Sequence, residues 1–109
     1  MNTKSTVVVT VGRNVGDTPM PPNMWKMAII ALYEAVRVAR GQVVFQGQGD
    51  GVWENVIRED AYAIIAIIPD RFIPVCRGRL ATIARDFNQE ACGMVVHDEG
   101  TDSLVRARQ

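Results

Sequence analysis

The chain has 109 residues, of which 48% are hydrophobic, and its twelve basic residues balance its twelve acidic ones. A chain of this size is expected to form one domain, residues 1–109, that buries roughly 60 to 70% of its unfolded surface. Zero net charge argues against binding duplex nucleic acid, which needs a positive field. The longest apolar run, residues 61–69, is too short to cross a bilayer, and no signal core follows the polar start. We therefore expect a soluble cytoplasmic protein with no membrane partner.

The first 41 residues predict a strand, a loop and a helix. β-branched residues fill positions 6–11, which favours a strand over 5–11 with its odd-numbered valines on one face. Residues 12–22 contain glycines and three prolines, which favour a loop. Asn23 is a suitable N-cap for a helix that runs to about Arg40, and Gly41 is placed to end it. The predicted buried stripe of this helix is Trp25, Ala28, Ile29, Leu32, Val36 and Ala39.

The middle of the chain predicts two further strands. Residues 42–48 alternate, with Val43 and Phe45 on one face and glutamines on the other, and the glycines of 47–51 indicate a hairpin region. Residues 53–54 resume extended structure. The strand over 62–68 has apolar residues on both faces, so both faces of the sheet must be covered there. A second copy of the chain is the simplest cover, which predicts a homodimer or a higher homo-oligomer.

The last third predicts a second helix and a fourth strand. The helix starts near Ile73 or Pro74 and ends near Asn88, with a buried stripe formed by Cys76, Leu80, Ile83, Ala84 and Phe87. The strand covers 91–97, and residues 98–109 are a candidate for an extra edge strand or a tail that docks on a neighbouring subunit. The order of elements predicts an α+β, ferredoxin-like β-α-β-β-α-β sandwich with an antiparallel sheet and two helices on one face.

No catalytic, metal or cofactor site is predicted. Cys76 and Cys92 stand alone, and His97 is the single histidine, so the thiols are expected to be free and buried. The glycines of 47–51 lack the Lys and Ser/Thr of a phosphate-binding loop. The carboxylates Glu54, Glu59 and Asp60 cluster near the predicted hairpin, where they are either solvated surface groups or candidates for acid-base chemistry.

The arginines suggest a ligand site. Arg13, Arg58, Arg106 and Arg108 lie at the ends of predicted elements, where oligomerisation could gather them around a phosphate. Amide side chains, among them Asn14 and Asn88, could then recognise a base or ribose, and Trp53 is a candidate for lining the pocket. Ordinary surface charge explains the same arginines.

Four segments carry a resemblance to known proteins: 9–14, 49–53, Glu59 before an apolar strand, and 87–90 before the last strand. Together they resemble a family of small uncharacterised ferredoxin-like proteins. More loosely, the chain is similar to phage sponge proteins that bind cyclic ADP-ribose signals of the Thoeris defence system. That resemblance implies a cytoplasmic protein, in the host cell if phage-encoded, that sequesters a nucleotide-derived ligand without turnover. Arg58, Phe87, Asn88 and Arg106 are the residues to which the resemblance assigns ligand contacts.

Two other functions remain open at this point. One is a small dimeric αβ-barrel enzyme that acts on a hydrophobic substrate through Glu59, Asp60 or His97. The other is a structural module whose covered sheet serves only assembly.

Overall fold

The structure is a computed structural model that describes residues 3–53, 57–89 and 92–98. In these residues the strands are β1 Lys4–Gly12, β2 Asn14–Val15, β3 Thr18–Pro19, β4 Gln42–Trp53, β5 Ile57–Pro69 and β6 Gly93–Asp98. The helices are α1 Pro22–Val38 and α2 Ile73–Asp86, and a 3₁₀ turn, Asp70–Phe72, precedes α2. Neither helix is long and apolar enough to cross a membrane in the part of the chain described.

The main sheet has the ferredoxin-like strand order β4-β5-β1-β6, with each neighbouring pair antiparallel. The predicted fold class is therefore confirmed. Alternate residues of the two central strands are buried, for example Val9 of β1 and Ile64 of β5, because they face the helical layer. From α1 and α2, Leu32 and Cys76 complete this core. The opposite face of the sheet, here called the open face, is covered by no element among the described residues.

Both ends of α1 differ from the sequence prediction. The helix begins at Pro22, so the cap position falls on Pro21 and not on Asn23. A proline at the first helical position has the required φ and lacks only an N–H that would be unpaired there. At the other end Arg40, with φ 59°, adopts the left-handed conformation expected of Gly41. Gly41 is instead needed for close approach, because a Cβ there would lie 2.6 Å from Cγ1 of Val36.

The glycine-rich segment 47–51 is not a hairpin turn. It lies inside β4, which continues to Trp53 and pairs with a β5 that begins at Ile57. The prediction failed because glycines favour turns locally, whereas here the ladder of backbone hydrogen bonds to β5 keeps the segment extended. The connection at 54–56, which includes the candidate Glu54, lies outside the described residues.

A β-bulge in β4 reverses the predicted faces of that strand. The register to β5 shifts between Val43 and Phe45, so Val43 packs against the core whereas Phe45 lies on the open face with 65% of its surface exposed. Beyond the bulge, Gln48 points to the helical side, where its Oε1 accepts a hydrogen bond of 3.1 Å from Nε1 of Trp25. The glutamines are therefore not on the outer face, as the sequence pattern indicated.

The second half of the chain follows the prediction more closely. α2 begins at Ile73 and buries Cys76, Leu80 and Ile83. It ends at Asp86, and Asn88, with φ 54°, adopts the left-handed conformation shortly after it. The fourth main strand begins at Gly93, while Ala91 and the tail beyond Asp98 lie outside the described residues, so the predicted extra strand stays a prediction.

Candidate functional site

A pocket of about 260 Å³ opens beside the end of β1. Several of its lining residues are glycine or alanine, and one is a carboxylate. We therefore call it the Glu59 pocket. The lining residues are Thr10, Val11, Gly12, Gly51, Val52, Glu59, Ala61, Gln89, Cys92 and Gly93. Glu59 is the charged side chain among them.

Strand alternation and a glycine place the Glu59 carboxylate. Because Ile64, Ala66 and Ile68 of β5 face the helices, the odd-numbered Glu59 and Ala61 belong to the open face. Gly12 pairs with Ala61, and a Cβ at position 12 would lie 2.6 Å from Cδ of Glu59. The missing side chain therefore leaves the space that the carboxylate occupies.

The backbone just after β1 holds this carboxylate in place by a hydrogen bond. The backbone N–H of Asn14 donates a hydrogen bond of 2.6 Å to Oε2 of Glu59. Nε2 of Gln89 donates one of 2.7 Å to the carbonyl oxygen of Asn14. The loop is thus tied both to β5 and to the end of α2, and the carboxylate is held in one orientation at the pocket.

Arg13 is engaged within the protein and does not face the pocket. Its Nε donates to the carbonyl oxygen of Met20 at 2.8 Å, and its Nη1 forms an ion pair of 3.0 Å with Oδ2 of Asp60. Asp60 has the opposite parity to Glu59 in β5, so this pair lies on the helical side of the sheet. Adjacent carboxylates therefore serve different purposes, since Asp60 anchors the loop whereas Glu59 lines the pocket.

The cysteines are poorly suited to nucleophilic chemistry. Burial raises the pKa of the Cys92 thiol to about 11 and raises the pKa of Cys76 as well. A thiol with so high a pKa is almost entirely protonated at neutral pH, and the thiolate is the nucleophile. Among the described residues, no group of three or more His, Cys, Asp or Glu side chains could hold a metal ion.

A second cleft, of about 290 Å³, lies between the β2–β3 hairpin and the ends of the two helices. Its walls are largely apolar and include Met20, Met24 and Phe87, with Asn88 at one side. Phe87 also packs against the core, as its place in the predicted stripe of α2 suggested.

Within one chain, the predicted ligand-binding residues that the structure describes lie in different places. Phe87 and Asn88 line the second cleft, while Asn14 contacts Glu59 through its backbone. Arg58 is exposed on β5, where its parity places it on the side of the sheet opposite to Glu59. The side chain of Trp53 and the whole of Arg106 and Arg108 lie outside the described residues.

From the sequence, Glu59 was a candidate for acid-base chemistry within a carboxylate cluster, but no pocket was predicted beside it. Glu59, Ala61 and Ala63 are alternate residues of one strand, so the sequence places the carboxylate on the same face as two small side chains. That signal was usable only once the register to Gly12 was known.

Comparison with known proteins identifies solved structures of the same fold. No family model matches the chain, and no curated protein matches it. A phage SAM lyase in complex with S-methyl-5'-thioadenosine is similar with a TM-score of 0.59 and 17% identity, over 89% of this chain and 82% of the lyase. A protein of unknown function from Galdieria sulphuraria has a TM-score of 0.55 and 6% identity, over 89% of this chain and 49% of the other.

A Bacillus cereus protein related to NIF3 has a TM-score of 0.54 and 18% identity, over 92% of this chain and 26% of the larger protein. The chain thus spans less than half of the Galdieria protein and about a quarter of the Bacillus one. At these identities the likeness concerns the fold, and the chemistry must be argued from the residues of this chain. The ferredoxin-like architecture read from the strand order is therefore found in solved proteins as well.

Proposed function

We propose that the protein binds a small adenosine-type molecule in the Glu59 pocket. The observation that carries this proposal is a carboxylate held in one orientation beside a floor of glycine and alanine. Small floor residues admit a flat ring close to the backbone, and a fixed acceptor can take a hydrogen bond from a ribose hydroxyl or a base amine. The thioadenosine bound to the phage SAM lyase, a protein of similar fold, supports this class of ligand.

The size and charge of the pocket favour a nucleoside over a larger nucleotide. Its volume of about 260 Å³ lies near the lower end of the roughly 300 to 1,000 Å³ typical of ligand sites. The charged side chain in the described lining is a carboxylate, which is not a phosphate ligand, and Arg13 is engaged by Asp60. A neutral nucleoside, or one that carries a sulfonium cation such as S-adenosylmethionine, is therefore the best match.

Sequestration of a cyclic ADP-ribose-type signal is the more specific form of the proposal. It needs guanidinium groups for the pyrophosphate, and the exposed Arg58 is the described candidate that can turn toward a ligand. Arg58 and Glu59 lie on opposite sides of β5, so such a ligand would have to reach around the strand. This form therefore predicts that Arg58→Ala weakens binding, whereas the nucleoside form predicts no effect of that change.

Chemical cleavage of the same class of ligand is the second candidate function. It is favoured by one observation, the carboxylate of Glu59 at the pocket, since a fixed carboxylate can act as a general base or stabilise a positive charge. Binding and cleavage are separated by recovering the ligand after incubation. Intact ligand supports sequestration, whereas products formed in proportion to time support an enzyme.

The test measures binding of S-methyl-5'-thioadenosine, S-adenosylmethionine and cyclic ADP-ribose by thermal shift and by calorimetry. A ligand supplied at 100 times its Kd should add about 2.7 kcal/mol, which is several degrees for a domain of this size. We expect Glu59→Gln to weaken binding of the cationic ligand at least tenfold. Asp50→Asn removes a nearby exposed negative charge outside the pocket and is the matched control. If none of the three ligands stabilises the folded protein, the proposed function is wrong.

A further inference from the structure

The open face of the sheet carries a row of apolar side chains although no element covers it among the described residues. The molecule measures 19 Å across its shortest dimension, consistent with a single sheet under a single helical layer. One row across all four strands of this face carries bulky side chains, and the pairing register aligns them side by side. These residues are Phe45, Ile65, Val8 and Val95. Of these, Phe45 is 65% and Val95 53% exposed.

The next row of the same face carries small side chains. The register aligns this second row across the four strands as Gly47, Ala63, Thr10 and Gly93. On every strand the bulky residue and the small residue are therefore two positions apart and point to the same side. A Cβ at Gly47 would meet only the ring of Phe45, at 3.9 Å, so a hollow lies above Gly47, whereas the Thr10 side chain fills the space above Gly93.

We propose that the open face binds the open face of a second copy of this chain around a two-fold axis. The axis lies in the interface, perpendicular to the strands and between the two rows. Rotation about it reverses the order of the rows and keeps the order of the strands. Each bulky side chain then lies over the small residue of the same strand in the other copy, for example Ile65 over the partner's Ala63. The contact is self-complementary, as a two-fold interface must be.

The pattern favours a second copy over an unrelated partner. An apolar patch of any pattern would suffice to bind a different protein. Here each of the four strands carries one bulky and one small residue, and this arrangement is complementary to the same face after a two-fold rotation. The zero net charge means that two copies do not repel each other as a whole. Four strands about 4.8 Å apart and some seven residues long present on the order of 450 Å² in flat projection. Side-chain relief enlarges this area toward the roughly 800 Å² that each partner gives to a standard interface.

The same rotation places the partner over the Glu59 pocket. The row beyond the small one contains Ala61 and Gly12, which line the pocket. It falls opposite the row of the partner that contains the partner's Thr6 and the partner's Ile67. Each pocket would thus be closed from above by the other copy, which excludes water from a bound ligand. This closure rests on the proposed function, whereas the dimer itself does not.

The first test compares two adjacent valines of β6 by light scattering after size-exclusion chromatography. Val95 is on the open face, and Val96, 38% exposed, is on the opposite one. We expect the wild-type protein to have twice the 12.0 kDa of one chain. Val95→Asp should raise the dimer dissociation constant at least a hundredfold and give monomers at micromolar concentration. Val96→Asp, which carries the same charge on the same strand, should remain a dimer.

The second test fills the hollow without adding charge. Gly47→Leu adds bulk where an isolated chain has room, so the fold should persist while the dimer dissociates. Gly78→Leu adds the same bulk on α2, where nothing lies within 4 Å of an added Cβ, and should leave the dimer intact. Far-ultraviolet circular dichroism establishes that each variant is folded.

Three results would overturn the proposed dimer. They are a wild-type monomer at 100 µM, a mass three times that of one chain, or dimers that survive both Val95→Asp and Gly47→Leu. None of these measurements involves a ligand. Failure of the dimer is therefore distinguishable from failure of ligand binding in the Glu59 pocket.

Discussion

Gly12 determines where the Glu59 carboxylate lies. The carboxylate occupies the space that a side chain at position 12 would fill, and the N–H of Asn14 holds it there. A glycine at this point is needed for close approach and not for an unusual backbone angle. The residue that creates the pocket is thus one that has no side chain of its own.

We predict that Gly12→Ala destabilises the protein and displaces Glu59. The added carbon would lie within 2.8 Å of Oε2 as well as near Cδ. Overpacking of this kind typically costs about 1 to 3 kcal/mol. Gly49→Ala is the control, because nothing lies within 4 Å of a Cβ there. Urea unfolding should show the loss for Gly12→Ala alone, and equal stabilities would mean that Glu59 moves aside freely.

At the scale of the element, the bulge in β4 decides which face each residue of that strand occupies. One extra residue, Val44, lies between Val43 and Phe45, which pair with the adjacent residues Ala66 and Ile65 of β5. A bulge of this kind leaves the extra residue unpaired and changes the alternation beyond it. Without the bulge, every residue from Phe45 onward would face the wrong side for the observed core.

We predict that two single-residue deletions in β4 differ in how much they destabilise the protein. Removing Val44 leaves every other residue with its β5 partner, so the free energy of unfolding should change by no more than about 1 kcal/mol. Removing Gln46 either moves Phe45 to the helical side or moves every residue from Gly47 onward to the opposite face, and either change should cost more than about 2 kcal/mol. Tryptophan fluorescence during urea unfolding measures both, since Trp25 bonds to Gln48 on this strand. Equal losses would contradict the assigned bulge.

At the scale of the whole molecule, one helical layer covers one side of the sheet, and no element of the described residues lies on the other side. A two-layer domain with a polar open face would be stable as a monomer, but here that face carries a row of bulky apolar residues. Folding and assembly are then linked, because a second copy stabilises the folded state by mass action.

We therefore predict that the melting temperature depends on protein concentration. For a dimer that unfolds to monomers, each tenfold increase in concentration adds about 1.4 kcal/mol. For a molecule of this total size, this shifts the midpoint by about 2 to 5 °C. The melting temperature of Val95→Asp should be independent of concentration. A flat dependence in the wild-type protein, measured by calorimetry from 5 to 500 µM, would contradict linked assembly.

The order and type of the main elements could be predicted from the sequence. The β-branched run of β1, the apolar run of β5 and the spacing of Cys76, Leu80 and Ile83 in α2 each identify their element, because periodicity reports directly on burial. The predicted ends of α1 and the predicted position of the turn between β4 and β5 were wrong. At α1 the first-turn proline and the approach of Gly41 to Val36 set the ends, whereas pairing with the distant β5 keeps the glycines of 47–51 extended.

The sequence by itself determined the fold class, the apolar character of both faces of β5 and the absence of a familiar catalytic motif. These follow from composition and period, which are properties of the chain alone. The tertiary structure alone decided that Glu59 meets Gly12, that Arg13 is engaged by Asp60 and that bulky and small residues form adjacent rows on the open face. Each depends on strand register, which joins residues distant in the sequence and is set by packing of the whole sheet.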